Sequence, residues 1–71
     1  MTIKELRLTK RITQKQVSEY CNVTTEYLSM IERGARNPSD KIKECLATLY
    51  EVNISQIFLA LKETQSFKKE G

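Results

Sequence analysis

Seventy-one residues with 12 Lys and Arg against 9 Asp and Glu, 39% apolar and 30% charged, and only two glycines and one proline, describe one small ordered helical domain rather than a disordered segment. Histidine is absent and no glycine-rich phosphate loop occurs, so the composition excludes histidine-containing metal sites, nucleophile–histidine pairs and P-loop chemistry. No stretch approaches membrane-spanning length, and a chain without a signal peptide in a reducing cytoplasm is expected.

A chain this short buries only about 60% of the surface its unfolded form exposes, so its core must be compact. Cys21 and Cys45, far apart in sequence, each fall on an apolar helix face and are expected as buried free thiols. No enzyme activity, cofactor, metal or small-molecule ligand is expected. Charge is concentrated at one end: residues 1 to 15 carry Lys4, Arg7, Lys10, Arg11 and Lys15 against the single acid Glu5. Such a segment favours a polyanion, because each neutralised phosphate releases counterions. The commoner reading of a basic segment taken alone is a solvated helix face.

Apolar spacing and turn residues divide the chain into five helices. Ile3 and Leu6 share the inner face of a first helix that runs to about Lys10, with Leu8 facing elsewhere. Thr13 opens a second helix through the T-x-x-Q capping box with Gln16, and Val17, Ser18 and Cys21 face inward. Asn22 tolerates the left-handed conformation that ends this helix and turns the chain sharply. Val23 plugs the corner, Thr24 caps a third helix with Leu28 and Ile31 inside, and Gly34 ends it.

After a loop from Ala35 to Pro38, Ser39 and Asp40 start a fourth helix. Ile42, Cys45, Leu46, Leu49 and Tyr50 follow the spacing of a core-facing stripe. Asn53 with Gln56 opens a fifth helix whose inner face is Ile54, Ile57, Phe58 and Leu61. Residues 1–62 are therefore expected to form the domain, and residues 63–71, which lack periodicity, a flexible tail.

Two helices joined through Asn22, Val23 and Thr24 describe a helix-turn-helix unit. The stretches I-K-E-L-R at 3 to 7, I-T-Q at 12 to 14, N-V-T at 22 to 24, Y-L-S-M-I-E-R-G at 27 to 34 and R-N-P-S at 36 to 39 closely resemble the lambda-repressor-like, Cro-type or XRE-type, helix-turn-helix family. The resemblance covers roughly residues 3 to 61. It implies an all-α, compact five-helix fold with the helix-turn-helix at helices 2 and 3. Three positions depart from the usual pattern: Arg11 and Asn22 stand where such sequences often carry glycine, and Ser18 where alanine is usual. Both turn residues tolerate a turn, and the Ser18 hydroxyl is expected to bond back to its own helix.

The resemblance also implies that the third helix lies in the major groove of duplex DNA while the amino end of the second faces a phosphate. Excluding Leu28 and Ile31 leaves Thr24, Thr25, Glu26, Ser29, Met30 and Arg33 as the candidates for base contact. Glu26 suits a cytosine amino group and Met30 a thymine methyl. Glu26 reads equally well as a first-turn acid that complements the helix dipole, and Met30 as a residue touching only sugar or solvent. Gln14 is the first choice for a phosphate contact, flanked by Arg11, Lys15, Tyr27, Arg36, Asn37 and Lys41, although the Tyr27 ring also suits packing over the crossing of helices 2 and 3. The family pattern places Arg7 against Glu32 as a structural ion pair that orients helix 3, with remaining Arg7 donors offered to a phosphate.

Helix 5 is more apolar than one small core requires, with Leu59 and Ala60 continuing beyond its inner face. Ile54, Ile57, Phe58, Leu59 and Leu61 are the candidates for a homodimer interface, which would set two recognition helices about 34 to 36 Å apart. The function implied is that of a bacterial or phage-encoded transcription regulator, most often a repressor, binding double-stranded DNA at a palindromic operator. The acidic Glu26 and neutral Met30 support a different class, an interaction module that turns the same fold toward a protein partner.

Overall fold

The computed structural model describes residues 1–66, which form five helices: α1 (Ile3–Thr9), α2 (Gln14–Cys21), α3 (Thr25–Glu32), α4 (Asp40–Tyr50) and α5 (Ile54–Ser66). No strand occurs among the described residues. Each start is set by a side chain that accepts from an otherwise unpaired amide. Thr2 and Thr13 both close full capping boxes, with Glu5 and Gln16 respectively reaching back. Thr24 accepts from the Tyr27 amide at 3.0 Å, Ser39 from Ile42 at 3.4 Å, and Asn53 from Gln56 at 3.3 Å.

Four helix ends share one device. The residue just past the helix turns into the left-handed region at Arg11 (φ 59°), Asn22 (φ 58°), Gly34 (φ 78°) and Glu51 (φ 59°). The amide that follows then reaches five residues back: Ile12 to the Arg7 carbonyl, Val23 to Ser18, Ala35 to Met30 and Val52 to Ala47. This six-to-one bond is that of the Schellman motif, and it satisfies a carbonyl that the helix itself leaves open.

The core gathers Ile3 and Leu6 from α1, Val17 and Cys21 from α2, Leu28 and Ile31 from α3, Leu46, Ala47 and Tyr50 from α4, and Ile57, Ala60 and Leu61 from α5. α2 packs on both α3 and α4, while α5 closes the far side against α4 and α1. Ser18 fits the α2 interior because its hydroxyl donates to the Lys15 carbonyl at 2.8 Å, as expected for a small residue at that position. Val23 packs on the core at the corner before α3.

Four expectations need correction. Cys21 and Cys45 are not free thiols: they form a disulfide between the end of α2 and the middle of α4, with Cα atoms 6.0 Å apart. Periodicity places both on inner faces but says nothing of their mutual distance. Secondly, Phe58 and Ile54 are exposed rather than inward, because α4 and α1 cover α5 on the side of Ile57, Ala60 and Leu61. Ala60 thus belongs to the core and does not extend an outer apolar strip.

Thirdly, Ile57 and Leu61, proposed for a partner surface, are buried within their own chain and have no surface to offer. Lastly, α5 runs beyond residue 62 to Ser66. Thr64 is buried, donates to the Ala60 carbonyl at 2.7 Å and accepts from the Ile3 amide at 2.9 Å. A polar residue interrupts the apolar period, yet it is inside because it satisfies the first amide of α1. Residues 67–71 of the expected tail lie outside the described residues.

Candidate nucleic-acid interface

The exposed side of α3 is what remains after its core is taken away. Leu28 and Ile31 are buried, Thr24, Thr25, Glu26 and Arg33 are exposed, and Ser29 and Met30 are half-buried. The six residues expected to touch bases therefore all retain some accessible surface, on a helix whose opposite face is anchored. Glu26 sits in the first turn, where its carboxylate complements the helix dipole whatever else it does.

The orientation of α3 is fixed by a buried polar cluster at its carboxyl end. Arg7 Nε donates to Glu32 Oε2 at 2.6 Å and Nη2 to Oε1 at 3.3 Å, a two-pronged pair whose side chains are only 9% and 4% exposed. Arg7 Nη1 donates to the Ile12 carbonyl at 2.8 Å, so the same guanidinium also holds the turn between α1 and α2. Three of its donors are thus committed within the protein, and its burial leaves little of it for a phosphate. Removing either partner would strand a buried charge, which is the costly way to break such a pair.

Gln14 enters this cluster in a way the sequence did not indicate. Its Nε2 donates to Glu32 Oε1 at 3.0 Å, so the first residue of α2 is tied to the last residue of α3. Gln14 is only half-buried, and the second hydrogen of its Nε2 and the opening backbone amides of α2 remain as donors at that end. Beneath the cluster lies Tyr50, fully buried, whose hydroxyl has no hydrogen-bond partner among the described residues. Burial, then the Glu32 carboxylate, push that hydroxyl well above the ordinary phenol range, with Arg7 opposing.

The remaining candidates for phosphate contact fall into two groups. Arg36 stacks over the Tyr27 ring, its guanidinium carbon 5.2 Å from the centroid, and Asn37 accepts from Gln65 Nε2 at 3.4 Å. The loop after α3 is therefore tied to α3 on one side and to the end of α5 on the other. Tyr27 also packs on the core, as its structural reading required. By contrast, Arg11, Lys15, Arg33 and Lys41 are exposed and form no ion pair among the described residues. Exposed cations without partners suit a polyanion, because none must first break a contact.

Residues that sequence reasoning missed are Ile12, through its carbonyl, and Tyr50, through its place under Glu32. Neither left a signal beyond apolar spacing. Among the described residues, no group of His, Cys, Asp and Glu is placed to hold a metal ion, and no helix is long and apolar enough to cross a membrane.

Comparison with known proteins agrees with this geometry. The family model described as helix-turn-helix matches residues 3–57, which take in α1 to α4 and the start of α5. An immunity repressor protein of Bacillus phage phi105 is 36% identical over 55 residues, 78% of this chain and 38% of that relative. The chain thus spans well under half the length of this curated relative. No solved structure gives a significant match. With the family match covering most of the chain, and with two short helices turned about Asn22 and locked by an Arg7–Glu32 pair, the protein belongs to the helix-turn-helix family, in its lambda-repressor-like (XRE-type) group.

Proposed function

We propose that the chain is a sequence-specific transcription regulator, a repressor acting in the cytoplasm, that reads a palindromic operator as a homodimer. The observation that carries this reading is the division of α3. Its inner residues are buried and its end is clamped by Arg7 and Gln14, while Thr24, Thr25, Glu26, Ser29, Met30 and Arg33 stay accessible on the other side. A helix held rigidly by one face and accessible on the other suits insertion into a major groove. Gln14 and the opening amides of α2, with Arg11, Lys15, Tyr27, Arg36, Asn37 and Lys41, would engage the flanking phosphates. The name of the phage relative supports repression rather than activation.

Titration against a random duplex pool at several salt concentrations tests the reading. Binding should fall linearly in log-log form as salt rises, with a slope set by the number of phosphates neutralised. Gln14→Ala should weaken all duplexes alike, by about tenfold if one charge-assisted contact worth roughly 1.4 kcal/mol is lost. Glu26→Ala should instead change which sequence is preferred, since a good base contact contributes about 1 to 3 kcal/mol of discrimination. Absence of any binding at low salt would reject the reading and favour a protein partner on the same face.

A further inference from the structure

The Cys21–Cys45 bridge is not needed to explain contact with DNA, and its position has consequences of its own. Cys21 is the last residue of α2, next to the left-handed Asn22 that begins the turn; Cys45 lies in the middle of α4. The covalent loop they close spans 24 positions and contains the turn, the whole of α3 and the loop carrying Arg36 and Asn37. The recognition segment is thus enclosed between two sulfurs. α3 itself has only eight residues, too few to be helical alone, so it depends on what surrounds it.

Two further facts bear on whether the bridge is permanent. The sulfurs are unequal in access: Cys21 is buried, at 8% exposure, whereas Cys45 is half-buried. Both side chains also pack with the core, where a free thiol behaves as a small apolar group, so loss of the bridge leaves the packing in place. A DNA-binding protein works where the DNA is, in a thiol-rich compartment in which disulfides are generally transient and redox-sensing.

We propose that Cys21 and Cys45 form a reversible thiol–disulfide couple that exchanges with a low-molecular-weight thiol and disulfide pool and sets how firmly the recognition segment is held. The Cys45 thiolate, as the more accessible sulfur, attacks one sulfur of the small disulfide and expels a thiolate, leaving a mixed disulfide. Cys21 then attacks the Cys45 sulfur and expels the second thiolate. The chain loses two electrons and two protons, the small disulfide is reduced to two thiols, and excess thiol reverses both steps. The thiol-rich compartment and the link to operator occupancy rest on the DNA-binding reading; the exchange chemistry of the two sulfurs does not.

The test uses the full chain equilibrated in glutathione buffers from fully reduced to fully oxidised, quenched in acid, alkylated and weighed. Both thiols should disappear together, as one intramolecular event whose midpoint does not depend on protein concentration. The oxidised chain should melt at least about 10 °C above the reduced one, since closing a loop of this length restricts the unfolded chain substantially. Cys45→Ala should melt at one temperature in both buffers. Thiols that stay alkylatable throughout, a product that stops at the glutathione adduct or links two chains, or equal melting of the two wild-type states would each overturn the proposal. These readouts use no DNA, so a chain that binds no duplex would sink the functional reading without touching them.

Discussion

Tyr50 shows how much one buried atom decides. Its ring is wholly buried in the core, but its hydroxyl finds no partner among the described residues, and the Glu32 carboxylate adds to burial in disfavouring its ionisation. An unsatisfied buried hydroxyl is a cost, whereas the ring is a gain. Tyr50→Phe should therefore keep the fold and leave stability unchanged or raise it by up to about 1 kcal/mol at neutral pH, as read from a urea midpoint. The alkaline limb gives a sharper check. Because the folded hydroxyl holds its proton above the ordinary value of 10, its contribution is present below that pH and is lost as pH rises further, when only the unfolded chain ionises. The stability difference between the Tyr50→Phe variant and the wild-type chain should accordingly widen above pH 10 in favour of the variant, and a constant difference would contradict the assignment.

The four left-handed helix ends belong to the next scale. Each turn needs a residue at positive φ, and only one of the four is glycine. Asparagine at 22 is the best of the others, while Arg11 and Glu51 adopt the conformation at a cost of order 1 kcal/mol each. The chain accepts this because each turn aims the next helix onto the core and closes a carbonyl through the six-to-one bond. Glu51→Gly should raise stability by about 0.5 to 1 kcal/mol, since the pair between Glu51 and Lys10, 3.6 Å apart with a largely exposed carboxylate, contributes little against that strain. Thermal melting that drops instead would show that the pair outweighs the backbone term. Elsewhere, the element that overran its expected limit, α5, did so for a reason of the same kind. Thr64 is held inside by one donated and one accepted hydrogen bond to backbone atoms of α5 and α1.

At the scale of the whole molecule, the outer side of α5 carries apolar side chains that stay exposed among the described residues. Ile54, Phe58 and Leu59 are 37%, 50% and 63% exposed, and Leu59 borders an open hollow of about 290 Å³ lined also by Met1, Leu6 and Gln56. Lys43 lies over the Phe58 ring, 4.9 Å from its centroid, and so screens part of that strip. A homodimer built here would use Leu59 as its most exposed anchor, with Ile57 and Leu61 excluded because they serve the core. Sedimentation should find the wild-type chain dimeric and Leu59→Glu monomeric, with both folded by circular dichroism. Two monomers would end the proposal of a dimer on this helix. Asn37 and Gln65 meet at 3.4 Å, so the same helix also reaches the loop that follows α3.

Much of this protein is written in its local sequence because the signals involved are local. Thr13 with Gln16, Asn22, Thr24, Gly34 and Ser39 specify where helices start and stop through bonds to amides and carbonyls a few residues away, and the spacing of Leu28 and Ile31 fixes which side of α3 faces outward. The Arg7–Glu32 pair was legible only through family resemblance, since nothing in the letters alone brings residues 25 positions apart together. What the tertiary structure alone decided lies in distances between elements. It joined Cys21 to Cys45, drew Gln14 onto Glu32, placed Tyr50 beneath them, and turned Ile57 and Leu61 inward while leaving Phe58 outside. An apolar period states that a helix has an inner face, but its width and the atoms that meet there depend on how neighbouring helices cross, and that is settled only when all five pack together.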